Sequence, residues 1–98
     1  MIADVIVRPL AEADVREAAF WYESKREGLG VEFALELDLL YERIAQNPQQ
    51  FPAIEQGTRR ALLRRFPYAV YFVVGDAAVV VIAVLHQHRQ PGAWRARG

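Results

Sequence analysis

The feature that most constrains this chain is a pair of apolar runs, Tyr68 to Val74 and Ala78 to His86, joined across Gly75-Asp76. Val, Ile, Tyr and Phe dominate both runs, which suits strands, and a glycine at the first central position suits a tight hairpin turn. Neither run alternates with polar residues, so both faces of the resulting ribbon must be covered. One cover can come from helices. The other needs the C-terminal segment or a second protein.

The first half of the sequence supplies the helices. Asp4 to Arg8 alternates around Val5 and Val7 as a short strand, and Pro9 ends it while fitting the first turn of a helix. From about Ala11 to Lys25, Val15, Ala18, Ala19 and Tyr22 recur at three- and four-residue spacing. Gly28-Leu29-Gly30 breaks the chain, and a second helix is predicted from about Val31 to Gln46. Its apolar stripe is Phe33, Leu37, Leu40 and Ile44, with Glu32, Glu36 and Glu42 off the stripe's centre. Two helices joined by a short glycine turn form an antiparallel hairpin, and three turns suit burial against a sheet better than a coiled coil.

Asn47-Pro48 stops the second helix, and Pro48 to Gly57 reads as a connecting loop. Thr58 to Arg65 reads as an edge strand guarded by arginines at both ends. The expected fold is α+β in two layers, β-α-α-β-β-β, with the helix hairpin packed on one face of a mainly antiparallel sheet. Its expected core contains Val15, Tyr22, Phe33, Leu37, Leu40, Ile44, Leu63, Val70, Phe72, Val81 and Ala83.

Composition sets the class. With 98 residues and 53% hydrophobic content, the sequence predicts one packed domain over residues 1–98. The absence of cysteine rules out disulfides, thiolate metal sites and a cysteine nucleophile, and fits a reducing cytoplasm. No basic segment followed by an apolar one opens the chain, and the longest apolar run, Ala77 to Leu85, is far short of a membrane span. The expectation is a soluble cytoplasmic protein with no membrane partner.

A net charge of zero hides an asymmetry. Residues 1–50 hold ten Asp/Glu against five Lys/Arg, whereas residues 51–98 hold two against seven. Lys25 is the one lysine; the other basic residues are arginines, whose planar forks suit phosphate and carboxylate. The arginines of the second half therefore address either an anionic partner or the acidic helices of the same chain.

Few groups are available for covalent chemistry. Ser24 is the single serine and lies in a helix with no nucleophile-elbow context, and Thr58 opens a strand. His86 and His88 end the last strand, two residues apart and on one side. They can serve as general acid–base groups, as polar residues that close an apolar strand, or as metal ligands, although no third ligand lies nearby in sequence. Arg65 and Arg89 can flank them, which would make a cluster for a phosphodiester or an acidic peptide. Neither a metal nor an organic cofactor is predicted.

The order of elements, the chain length and the ending Val84-Leu85-His86-Gln87-His88-Arg89, followed by Pro91 and Trp94-Arg95, resemble the RelE/ParE toxins of type II toxin–antitoxin modules. The resemblance implies a first strand beside the last, and a cognate antitoxin as partner. In RNA-cleaving RelE relatives, basic residues on the middle strands and a basic and an aromatic group in the tail carry the chemistry. Here Arg59 falls at one basic position, but Ala61 and Tyr68 fall where cations are expected, and His88 and Trp94 replace the tail pair. The ending is closer to the ParE branch, which acts on DNA gyrase, although Gln90 replaces the usual acidic residue.

The implied function is a non-enzymatic toxin that binds a protein target, DNA gyrase, through His86, His88, Arg89 and Trp94. The implied antitoxin-binding residues are Arg59, Arg60, Arg64, Tyr68 and Tyr71. Two alternatives stand beside it. One is a ribosome-dependent mRNA endonuclease using Arg59, Arg65, His86 and His88; the other is a non-toxic binding module.

Overall fold

The computed structural model describes residues 3–55, 57–88 and 92–97. Strand β1 (Asp4–Val7) leads into helix α1 (Pro9–Lys25), and a short turn reverses the chain into helix α2 (Leu29–Gln46). A 3-10 turn at Pro48–Gln50 follows, then strands β2 (Ala53–Glu55), β3 (Thr58–Leu62), β4 (Tyr68–Val74) and β5 (Ala78–His86). A second 3-10 helix, Ala93–Arg97, closes the chain. The sheet order is β1-β5-β4-β3-β2, with β1 parallel to β5 and every other pair antiparallel. The first strand thus lies beside the last, and the two helices pack on one face. No helix among the described residues is long and apolar enough to cross a membrane.

Pro9 opens α1, where its missing N–H leaves no acceptor unserved. The helix turn depends on two glycines for different reasons. Gly28 holds φ at 87°, in the left-handed region that a side chain disfavours. Gly30 lies so close to α1 that a Cβ there would sit 2.6 Å from the carbonyl oxygen of Ala19. Glu23 then reaches across from α1 and accepts the backbone N–H groups of Gly28 and Gly30, at 2.9 and 3.0 Å. A carboxylate at a helix start satisfies orphan donors and meets the positive end of the helix dipole.

The expected core forms around the α2 stripe. Phe33, Leu37, Leu40 and Ile44 are buried with Tyr22, Leu63, Val70, Phe72 and Val81, and half-buried Val15 packs against them. Tyr22, Phe33, Phe66 and Tyr68 form an aromatic cluster with ring centroids 4.8 to 6.0 Å apart. Such edge-to-face contacts add to the apolar burial.

Two features depart from the sequence reading. Part of the stretch read as a loop, Pro48 to Gly57, is the short strand β2, so β2 and not β3 forms the sheet's edge; β3 itself stops at Leu62. Three residues carry too little local pattern to announce a strand, and pairing with Thr58 and Arg59 holds this one. The second departure is a bulge in β5. Tyr71 pairs with Ala83 and Phe72 with Val81, which leaves Ile82 as the extra residue. Val79, Val81 and Val84 therefore face the helices, whereas Ile82, Ala83 and Leu85 join a second cluster on the opposite face. Val81 and Ala83, which strict alternation would place together, lie on opposite sides.

The C-terminal segment covers that second face. Trp94 is buried and stacks on Tyr71 with centroids 5.7 Å apart and planes 14° apart. Arg97 anchors it, binding Asp14 of α1 through both nitrogens at 2.8 and 3.0 Å and the Ile82 carbonyl at 3.3 Å. Asp14 also accepts the Val84 N–H at 3.0 Å. Pairing with β1 ends at Val81, so these two side chains occupy the edge of β5 where no strand continues. The hydrogen bond to Asp14 also raises the pKa of the Arg97 guanidinium further.

Two stability outcomes follow from this packing. Leu37→Ala should cost about 2–5 kcal/mol in urea unfolding, the usual cost of emptying a buried leucine site, and a loss under about 1 kcal/mol would contradict the packing. Arg97→Ala strands a mostly buried carboxylate and should cost on the order of 2 kcal/mol. It should also shift Trp94 emission to the red as the segment lifts. Unchanged emission and stability would mean that the ion pair does not hold the segment down.

Candidate functional site: clefts beside α1 and α2

The bulge at Ile82 determines where the histidines go. Because alternation resets there, Val84 and His86 turn toward the helices, and the His86 ring meets Tyr68 edge-on at 5.3 Å. Together with α1 they bound a cleft of about 360 Å³ lined by Asp14, Glu17, Trp21, Tyr22, Tyr68 and His86. His86 and His88 are neighbours, as their spacing predicts, with ring centroids 5.2 Å apart. His86 Nδ1 accepts the backbone N–H of His88 at 3.1 Å, which places the ring's proton on Nε2 in its neutral form. Burial, followed by the charge of Tyr68, pushes the Tyr22 phenol above its ordinary pKa. Among the described residues no group of three His, Asp or Glu side chains is arranged to hold a metal ion.

Arg65 does not join the histidines. Its guanidinium binds Glu32 of α2, its backbone N–H and that of Arg64 donate to Glu36, and Arg26 completes the cluster on Glu32. The hydrogen bonds from Arg65 and then Arg26 hold the Glu32 carboxyl below the usual carboxylate range. The His/Arg cluster expected from the sequence is therefore replaced by an internal arginine–carboxylate network. Arg89, its other expected member and a target-binding candidate, lies outside the described residues.

A second cleft, of about 320 Å³, lies between α2 and β3 and is lined by Leu39, Leu62, Glu36, Glu42, Arg43 and Arg64. Beside it the outer face of α2 carries Val31, Leu35 and Leu39 at four-residue spacing, each more than half exposed. Leu62 adds a further exposed leucine from β3. Arg60 and Arg64 are exposed, and their guanidinium groups have no hydrogen-bond or ion-pair partner among the described residues. Arg59 on the same strand is occupied, donating to the Phe51 carbonyl and to Gln49.

The sequence-predicted residues thus separate into three places. His86 and Tyr68 line the α1 cleft, with exposed His88 at its edge. Arg64 lines the α2 cleft, with Arg60 on the same strand system. Tyr71 and Trp94 cover each other on the opposite face and are buried. Sequence reasoning missed Asp14, Glu17 and Trp21, because α1 was read only for its buried stripe. It also passed over Val31, Leu35 and Leu39, whose i, i+4, i+8 spacing was a readable second stripe.

Comparison with known proteins agrees with this geometry. Residues 5–91 match the family described as ParE toxin of type II toxin-antitoxin system, parDE. A solved structure of the chromosomal ParDE toxin–antitoxin system from P. aeruginosa superposes with a TM-score of 0.74 at 17% identity. It covers 87% of this chain and 96% of that one. The RelBE2 toxin–antitoxin complex from Mycobacterium tuberculosis gives a TM-score of 0.60 at 18% identity, covering 88% of this chain and 99% of the other. None of the curated proteins matches the sequence. With the family matched across most of its length and the fold shared with both structures, this chain belongs to the ParE toxin family of type II toxin–antitoxin systems.

Proposed function

We propose that this toxin stops growth by binding a protein, DNA gyrase, without cleaving RNA, and that a cognate antitoxin silences it. The observation that carries this reading is the lining of the cleft beside His86. Its walls are aromatic and acidic, and among the described residues no arginine or lysine lines it. A site that cleaves a phosphodiester needs preorganised positive charge where negative charge develops, and losing one such group typically costs about 10²–10³ in rate. Ala61, at one position where RNA-cleaving relatives carry a cation, is buried in the sheet, and Tyr68, at another, forms a cleft wall. Arg65 is held by Glu32, and the His86 ring is engaged as an acceptor. Gyrase as the target follows from family membership and the Val84–Arg89 ending.

For the antitoxin, the α2 cleft is the surface whose chemistry fits best. Exposed Val31, Leu35, Leu39 and Leu62 would take the apolar face of an amphipathic segment, and Arg64 would take its carboxylates, with Arg60, opposite Tyr71 on the sheet's other face, reached only by a segment that extends round the sheet. Arg59, already bonded to Phe51 and Gln49, would support the loop from behind, and Tyr68 would border the segment. Tyr71 would be reached only with Trp94 displaced.

Three measurements test these readings. Purified toxin should inhibit supercoiling by gyrase, and induction should leave mRNA without codon-phased cuts in a primer-extension map. His86→Ala should raise the toxin needed for inhibition by about tenfold or more, as loss of a binding hot spot does. Codon-phased cuts that disappear in His88→Ala would overturn the proposal in favour of the endonuclease. For the antitoxin, replacing Arg60 and Arg64 by alanine should weaken the complex and flatten its salt dependence; an unchanged affinity would remove the arginines from the interface.

A further inference from the structure

The chemistry of the α1 cleft is the reverse of what the arginine-rich sequence suggests. Trp21, Tyr22 and Tyr68 contribute three aromatic rings, and Asp14 and Glu17 contribute two carboxylates. Aromatic faces and carboxylates together are a receptor for a cation. Two interactions within the molecule illustrate this preference. The ammonium of Lys25 lies over the Trp21 ring, 4.9 Å from its centroid, and the guanidinium of Arg97 forks onto Asp14 at the cleft's inner wall. Asp14 is thereby neutralised. Glu17 has no hydrogen bond or ion pair with any described residue, although its neighbours are aromatic and its helix is exposed on that side.

We infer that this cleft receives an arginine side chain of the protein that the toxin inhibits, with Glu17 accepting the guanidinium and Trp21 and Tyr68 bounding its faces. The occupant is an arginine because a planar guanidinium pairs with a carboxylate along its edge while its flat faces stack on rings, a geometry that a tetrahedral ammonium does not match. The volume of about 360 Å³ accommodates such a side chain with its stem. The α2 cleft shares none of these lining residues, so the two sites can be tested apart. This inference rests on the reading above that the toxin acts on a protein.

The test begins without gyrase. N-acetyl-arginine amide is titrated into the purified toxin and followed through the two tryptophan indole N–H signals by NMR. The Trp21 signal should shift saturably in the millimolar range while that of buried Trp94 stays still. N-acetyl-citrulline amide, the neutral isostere, should leave both unmoved. Glu17→Gln should weaken arginine binding about three- to fivefold, as expected for one partly exposed charge pair. In cells Glu17→Gln should lower growth inhibition while leaving antitoxin affinity unchanged. No saturable Trp21 shift, an equal response to citrulline, or undiminished binding by Glu17→Gln would each overturn the inference. So would full growth inhibition by Glu17→Gln, or a loss of affinity for the antitoxin alone, which would assign the arginine to the antitoxin. Whether the wild-type toxin inhibits supercoiling tests the gyrase reading separately, since the amide titration involves no target.

Discussion

A hairpin that is apolar on both faces must be covered twice, and Asp14 is the residue that ties the two covers together. It stands on α1, above the helix-side core, and its carboxylate accepts the Val84 N–H inside β5. The same carboxylate holds Arg97, the last described residue of the segment that lies over the other face. A largely buried ion pair stabilises only when its remaining hydrogen-bonding capacity is also used. Here it is: Arg97 also donates to the Ile82 carbonyl, and the Arg97 carbonyl accepts from Arg8. Once Arg97 is fixed, Trp94 lies flat on Tyr71, and the second apolar face is closed. The pair also occupies the stretch of β5 that β1 leaves unpaired, so one local interaction both seals an edge and fastens a strap.

The parts of the fold that depend on periodicity were legible in the sequence. Both helices and the buried set from Phe33 to Ile44 follow from spacing, and the hairpin strands with their ends at Tyr68, Val74, Ala78 and His86 follow from residue type and the turn between them. The bulge was not legible. Nothing in the run Val79 to Leu85 distinguishes Ile82, because every residue there is apolar and fits either face. That single unreadable residue decides which face His86 occupies, and so decides which helix residues become its neighbours. Strand β2 was hidden for a different reason. Three residues between Pro52 and Gln56 exist as a strand only because Thr58 and Arg59 pair with them. The site was less legible than the fold because it is made of contacts between α1 and β5, separated by some seventy positions.

The arginines illustrate why composition misleads about surfaces. A basic second half suggested an anionic partner, yet much of that charge is consumed within the molecule. Arg65 serves Glu32, Arg95 serves Glu55, Arg97 serves Asp14 and Arg59 serves the Phe51 carbonyl. The exposed pairs among these, Arg65–Glu32 and Arg95–Glu55, contribute little stability individually, but all of them determine which cations stay available. Among the described arginines of β3 and the turn after it, Arg60 and Arg64 are the ones whose guanidinium groups have no such partner. Arg64 lines the α2 cleft, where Glu36 has already spent its carboxylate on the backbone of Arg64 and Arg65, and Arg60 lies opposite Tyr71 on the other face of the sheet.

Internal pairing also leaves a residue of the opposite sign. When Arg97 neutralises Asp14, it leaves Glu17 as the carboxylate without a partner among the described residues that line the α1 cleft. Among the described residues the molecule therefore presents an unpaired arginine, Arg64, beside α2 and an unpaired carboxylate, Glu17, among aromatic rings beside α1. Two surfaces of opposite character on one small toxin allow two partners to be told apart by charge rather than by area. Like-charge contact would disfavour the wrong pairing at each surface, which is how electrostatic complementarity confers specificity. A partner that silenced the toxin from the α2 side would not need to resemble a protein bound at the α1 cleft, because the unpaired charges that each would meet lie beside different helices.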